Sequence, residues 1–262
     1  MSHPPAWLAT AIDVVLRAGE VQMRHLGGDL QLDMKGPIDL VTRVDLEVER
    51  MCRDTIAERF PDHGVLAEEF ENDRTGGRHR WVFDPVDGTV NYAHGLPIFC
   101  SCLALEVDGR PEVAAVFDPT RRELYTAERG VGAWLNGAPL RVSGAGAVLD
   151  ALLCTGFPYD VHETVDEVVG LFAAFVARAR AVRRLGSAAL DLCYVAAGRL
   201  DGFWEQRLHP WDFSAASLVV EEAGGQVSRF DGTSFDTQCG QIVASNGQIH
   251  EEMLAVIAGS PR

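Results

Sequence analysis

Apolar residues recur at helical spacing over residues 6–26 (Leu8, Ile12, Val15 and Ala18), and Gly27-Gly28 supplies a stop. A strand-like piece over residues 30–34 runs into a turn at Lys35-Gly36-Pro37. Val44, Val48, Met51, Cys52 and Ile56 mark a second helix, closed near Phe60-Pro61. Trp81-Val82-Phe83 is a short apolar strand that meets Asp84-Pro85 directly. Beyond residue 98 the period shortens to that of strands. Residues 99–107 and 113–117 flank Asp108-Gly109 as a hairpin, and Asn136-Gly137 is a two-residue turn signal for another. Residues 162–180 return to an amphipathic helical period. A helix over 187–197, a strand over 202–205 and a helix over 213–223 stopped by Gly224-Gly225 follow. Strands over 226–229 and 242–244 and a final helix close the chain. This mixture predicts an α+β protein in layers, with an N-terminal subdomain over 1–150 and a C-terminal one over 151–262.

Composition narrows the functional classes. With 47% hydrophobic and 23% charged residues, the 262-residue chain is neither disordered nor a coiled coil. Its net charge of −15 excludes a general nucleic-acid binder, which needs cations to displace counterions from phosphates. No apolar run approaches the length of a membrane span, and residues 1–7 lack the pattern of a secretory signal. The cysteines (Cys52, Cys100, Cys102, Cys154, Cys193 and Cys239) show no paired metal-ligand spacing and read as reduced core residues of a cytoplasmic protein. All basic residues are arginine except Lys35, which suggests a place where a compact ammonium is wanted.

Acids stand where a strand or loop gives way to a helix: Asp45 in Asp39-Leu-Val-Thr-Arg-Val-Asp45, the Glu68-Glu69 pair, Asp84-Pro-Val-Asp87-Gly-Thr89, and Trp211-Asp212. Two carboxylates three residues apart around a proline can converge on one hard cation. Gly88 permits close backbone approach, and the amides of Gly88 and Thr89 would open a short helix, a natural phosphate cradle. Taken singly, each feature has an ordinary explanation. Asp-Pro and Asp-Gly are turn chemistry, the glutamate pair a solvated loop, and Asp212 and Thr89 helix caps. His209 and Trp211 are explained by packing and Lys35 by solvent. The set, in this order, points to chemistry.

As a set, the segments resemble the inositol monophosphatase family within the lithium-sensitive, magnesium-dependent phosphatase superfamily. The resemblance rests on Gly36-Pro-Ile-Asp-Leu-Val-Thr-Arg-Val-Asp45, Glu68-Glu69, Asp84-Pro-Val-Asp-Gly-Thr-Val-Asn-Tyr92 and Trp211-Asp-Phe-Ser-Ala-Ala-Ser-Leu-Val-Val-Glu-Glu-Ala-Gly-Gly225. Softer matches are Gly130-Val-Gly-Ala-Trp-Leu-Asn-Gly137, Arg183-Arg-Leu-Gly-Ser-Ala-Ala189 and Gly240-Gln-Ile-Val-Ala-Ser-Asn246. It implies a layered α/β/α/β/α sandwich of the inositol monophosphatase and fructose-1,6-bisphosphatase type, and a homodimer. It further implies that Glu68, Asp84, the Val86 carbonyl, Asp87 and Asp212 hold two to three Mg²⁺ ions. Gly88 and Thr89 would hold the phosphate, and Thr89 paired with Asp45 would help activate the attacking water. Gly186, Ser187, Ala188 and Glu205 would meet the alcohol half, with Asp87 and Asp212 beside them, and Lys35 would sit on a mobile loop near the metals.

The implied reaction is Mg²⁺-dependent hydrolysis of inositol 1-phosphate by a metal-activated water attacking in line. Phosphate monoesters resist hydrolysis strongly, and divalent ions also reconcile a −15 chain with an anionic substrate. Two departures from the family pattern stand out: a short polar loop over 72–79, and Val90 where many relatives carry threonine. Histidinol phosphate, a nucleotide 3′-phosphate, fructose bisphosphate or NADP would use the same metal core. Some bacterial relatives also act with the ribosomal RNA transcription machinery, but a purely non-catalytic role is disfavoured because no expected metal ligand is missing.

Overall fold

A computed structural model describes residues 4–28, 30, 32–36, 38–70 and 77–260. Pro37 and residues 72–76 of the expected polar loop therefore lie outside the described residues. The helices are α1 (Pro5–His25), α2 (Arg43–Arg59), α3 (Thr89–Ala93), α4 (Val165–Val176), α5 (Ala188–Ala196), α6 (Pro210–Glu222) and α7 (His250–Ala258). The strands are β1 (Asp33–Met34), β2 (Leu40–Val41), β3 (Gly64–Ala67), β4 (His79–Asp87), β5 (Cys100–Val107), β6 (Arg110–Asp118), β7 (Glu123–Glu128), β8 (Gly132–Leu135), β9 (Ala138–Pro139), β10 (Leu152–Thr155), β11 (Ala181–Arg183), β12 (Gly202–Gln206), β13 (Gln226–Ser228) and β14 (Gln241–Ser245).

Strands β3 to β9 form a seven-stranded sheet in chain order, antiparallel except for the β3–β4 pair. A mixed five-stranded sheet runs β11-β10-β12-β14-β13. Burial then stacks five layers. On one face of the larger sheet, Trp81, Phe83, Leu103 and Leu105 pack against Val14, Ala18, Val48 and Cys52 of α1 and α2. The other face presents small residues (Cys100, Cys102, Ala104, Ala114) to α5 and α6. Cys154, Phe203, Ile242 and Ala244 of the smaller sheet cover the far side of those helices. Leu153, Trp204 and Val243 turn outward to Leu171 and Phe175 of α4 and Met253 and Val256 of α7. The expected α/β/α/β/α sandwich is the observed order.

The middle layer explains the least amphipathic helix. In α6, residues from Phe213 through Val220 are all buried, as a helix between two sheets must be. Strand β5 is likewise apolar without alternation because helices cover both its faces. Several boundaries differ from those expected. The amphipathic segment over 162–180 yields α4 over Val165–Val176 only, preceded by a 3-10 turn at Val161–Glu163. Helix α6 begins three residues early because Pro210 occupies its first turn, where no amide is needed. Strands β3, β7, β10 and β11 carry no period of their own long enough to stand out. The Asn136-Gly137 turn is as expected, with φ of 50° and 81° between the paired Leu135 and Ala138. All six cysteines are free thiols, and no described helix is long and apolar enough to cross a membrane.

Candidate active site

The Asp-Pro-Val-Asp segment is a bulge in the β4–β5 ladder. Asp84 pairs with Cys102 and Asp87 with Cys100, so three steps on β4 match two on β5. In a regular strand, residues three apart face opposite sides of the sheet. The extra residue reverses that parity and turns both carboxylates toward the α5–α6 layer, where Cys100 and Cys102 also face. Pro85 fits because a bulge spares it a ladder donor. Gln22 steadies the bulge by donating to the Pro85 carbonyl (2.9 Å) and Ser101 Oγ (2.8 Å). Gly88 follows at φ 92°, and a Cβ there would lie 2.9 Å from the Ile98 carbonyl oxygen and 3.1 Å from that of Gly186. Both its conformation and its space require glycine.

Two helix starts bring the remaining acids. Asp45 stands at the third position of α2, not before it, and its Oδ2 accepts from the Thr42 amide (2.9 Å) and hydroxyl (2.6 Å). Asp212, expected as an N-cap, occupies the equivalent third position of α6 and accepts from the His209 amide (2.6 Å). These are capping boxes, with the acid reaching back to the cap residue's amide. Ser187 caps α5, and its hydroxyl also donates to Asp87 Oδ2, as do the Ala188 and Ala189 amides to Asp87 Oδ1 (3.3 Å) and Oδ2 (2.9 Å). The softer Gly-Ser-Ala-Ala match is thus the place where the C-terminal half grips the bulge.

Burial and mutual repulsion dominate the electrostatics. Glu68, Asp84, Asp87 and Asp212 are all pushed above the usual carboxylate range, foremost by desolvation, with the charges of Glu69 and Asp212 adding to this at Glu68 and those of Glu68 and Asp87 at Asp84. Lys35 answers them: its Nζ lies 2.6 Å from Glu68 Oε1 and 2.9 Å from Glu69 Oε1. Burial opposes its charge, but the two carboxylates outweigh that and hold the ammonium protonated well above its ordinary range. Asp45 is fully buried, its Oδ1 has no hydrogen-bond partner, and desolvation pushes its carboxyl up to about 7.

The expected pairing of Asp45 with Thr89 is not the one observed. Thr89 Oγ1 donates to the Val86 carbonyl (2.9 Å), and Asp45 is engaged by Thr42. Nor are any three acidic, histidine or cysteine side chains among the described residues gathered into a ready-made metal clasp. Uncompensated carboxylates repel, and Glu68 is paired with Lys35. The donor chemistry nonetheless suits a hard divalent cation: buried oxygens, excess negative charge, and the orphaned Asp45 Oδ1 alongside.

Beside the carboxylates opens a cleft lined by Asp87, Gly88, Thr89, Ser187, Glu205 and Asp212 among others. Gly186 and Ala188 line it too, so the residues expected to meet phosphate and alcohol come together. Sequence reasoning missed several supports. Glu49, buried and paired with Arg53, accepts from the Glu69 (2.7 Å) and Phe70 (3.1 Å) amides and so shapes the glutamate loop. Asn91 ties α3 to the Ile98 and Leu185 carbonyls, both at 2.9 Å. Asp191, buried with an unpartnered Oδ1, and Arg184 line the cleft near Glu205. Asn91 and Arg184 stand within the family-like segments and Asp191 two residues beyond one of them, but only packing reveals what they touch.

The layered fold and a cleft walled by buried carboxylates define a class of hydrolytic enzymes acting on phosphate esters. A sequence model of the inositol monophosphatase family matches residues 5–261. An inositol-1-monophosphatase of Synechocystis sp. is 40% identical over 258 residues, 98% of this chain and 90% of that one. The Nus factor SuhB of Salmonella typhimurium is 42% identical over 256 residues, covering 97% and 95%. The solved inositol monophosphatase of Anabaena (Nostoc) superposes with a TM-score of 0.90 at 37% identity, covering 98% of this chain and 96% of that one. The chain belongs to the inositol monophosphatase family, whose members are generally metal-dependent phosphatases.

Proposed function

We propose that the protein hydrolyses inositol 1-phosphate to inositol and phosphate with Mg²⁺. The observation that carries this reading is the set of desolvated carboxylates Glu68, Asp84, Asp87 and Asp212, of which Asp87 and Asp212 line a cleft that Glu205 lines as well. Glu68, Asp84, Asp87, Asp212 and the Val86 carbonyl would hold two to three ions. Bound Mg²⁺ supplies positive charge for the phosphate dianion, acidifies a water and stabilises the leaving oxygen.

The chain's own groups do the rest. Asp45 Oδ1, buried and unpartnered, is the natural proton acceptor. Thr42, which occupies Oδ2, keeps Oδ1 aimed away from the helix start. The backbone of Gly88 and Thr89 orients the phosphate oxygens, and Thr89 leans on Val86 to keep that turn closed. Gly186, Ser187, Ala188 and Glu205 bracket the alcohol, which fixes the ester in line with the attacking oxygen. Lys35 neutralises Glu68 and Glu69 before the metals arrive and yields Glu68 to them.

Phosphate release from inositol 1-phosphate and from histidinol phosphate, each with Mg²⁺ and with EDTA, tests the proposal. Mg²⁺-dependent turnover favouring the inositol ester supports it. Preference for histidinol phosphate would keep the metal core and discard the substrate, whereas EDTA-resistant turnover would discard the metal.

A further inference from the structure

Gly156 follows the last residue of β10, and its φ is not positive, so the backbone does not call for glycine. The reason is space. A methyl carbon at this position would lie 2.1 Å from both carboxylate oxygens of Glu205 and 2.2 Å from its Cδ. Register explains the encounter. Strands β10 and β12 are parallel neighbours with Cys154 beside Phe203 and Thr155 beside Trp204, which brings 156 level with 205. Cys154 and Phe203 face the α5–α6 layer, so by alternation Gly156 and Glu205 do too, and both line the cleft.

Glu205 is otherwise loosely held. Burial and Asp191 push its carboxyl up to about 8 while Arg184 opposes them, and among the described residues no hydrogen bond engages it. Its carboxylate occupies the space that a side chain at Gly156 would fill.

We propose that Gly156 is a specificity-setting position: the missing side chain lets the Glu205 carboxylate lie across the end of β10 and present its oxygens to the alcohol half of the substrate. This rests on the reading of the alcohol wall given above. Gly156 acts through Glu205 and is a positioning residue. Any side chain there drives the carboxylate off the cleft wall, and the enzyme loses its preference for hydroxyl-bearing alcohols while phosphate chemistry elsewhere in the site is untouched.

The test compares kcat/KM for inositol 1-phosphate and for phenyl phosphate, whose alcohol half has no further hydroxyl. Wild type, Gly156→Ala, Glu205→Ala and the double variant are assayed with Mg²⁺. At pH 9, where the Glu205 carboxyl is ionised, Gly156→Ala is expected to lower the ratio of the two values about tenfold to a hundredfold, the range for a hydrogen bond to a charged group, chiefly through KM for the inositol ester. In the Glu205→Ala background the added methyl has room, so it causes no further loss and leaves the melting temperature unchanged. An unchanged ratio in Gly156→Ala, or an equal loss in both backgrounds, would overturn the inference. If Gly156→Ala alone folds poorly, the double variant decides: failure to recover the melting temperature of Glu205→Ala also overturns it. A wild-type enzyme with no preference between the esters defeats the alcohol-wall reading itself, before any variant is compared.

Discussion

Asp45→Asn sets stability against activity and reverses sign with pH. In the native protein Asp45 is fully buried and its carboxyl titrates at about 7, against an ordinary value of 3.8. The folded state therefore holds the proton more tightly than the unfolded one. This contribution favours folding below about pH 4 and is lost as pH rises toward 7. At 1.36 kcal/mol per pH unit, the interval between the two values makes the ionised carboxylate cost about 4 kcal/mol at pH 8. Asparagine avoids that cost and its oxygen can still accept from Thr42. Its amide nitrogen, however, takes the place of the partnerless Oδ1, and a buried unsatisfied donor costs about 1–3 kcal/mol. The variant should thus be more stable than wild type by about 1–3 kcal/mol at pH 8, and less stable by a similar amount at pH 4. Urea unfolding of both chains in EDTA from pH 4 to 8 measures the crossing. Phosphate release with Mg²⁺ should fall by about 10² to 10⁴ in the same variant, the range for losing a general base. A stability difference that stays flat across pH would refute the argument.

Asp87→Asn should abolish Mg²⁺-dependent turnover. Because Asp87 accepts from Ser187, Ala188 and Ala189, the metal-free variant should also lose about 1 kcal/mol in a urea titration, as when a helix cap is removed. Gly88→Ala should lower the melting temperature and the turnover together, because the new Cβ would lie 2.9 Å from the Ile98 carbonyl oxygen at a φ of 92°. Mg²⁺ should raise the melting temperature of wild type by relieving carboxylate repulsion, worth about 2.7 kcal/mol at a hundredfold excess over Kd, and calorimetry with and without EDTA reads it. Li⁺ at tens of millimolar should slow phosphate release, and an unchanged rate would place the protein among lithium-insensitive relatives.

Local pattern carried much of the fold. Helices α1 and α2 announce themselves by an amphipathic period and a stop signal, and the β5–β6 hairpin by two apolar runs around Asp108-Gly109. The layer order was implied only through family resemblance, since β3, β10 and β11 are too short to be told from buried loop by their own residues. Helix α6 was visible as apolar but not as a central layer, because burial on every side is a property of its neighbours.

The site divides in the same way. The residue types of the carboxylate set, Gly88 and the lone Lys35 are written in the sequence, since the choice of acid, glycine or ammonium is a local covalent fact. Direction is not local. The turn of Asp84 and Asp87 to one side depends on a bulge defined by the pairing of β4 with β5. The grip of Ser187, Ala188 and Ala189 on Asp87 joins residues about a hundred positions apart. Thr89 meets Val86 and not Asp45, and Lys35 holds Glu68 and Glu69, because carboxylates buried together redistribute around whichever cation and donors reach them. Gly156 is the plainest case. Its sequence neighbours give no reason for glycine, and the reason is the Glu205 carboxylate on the adjacent strand, brought there by strand register alone.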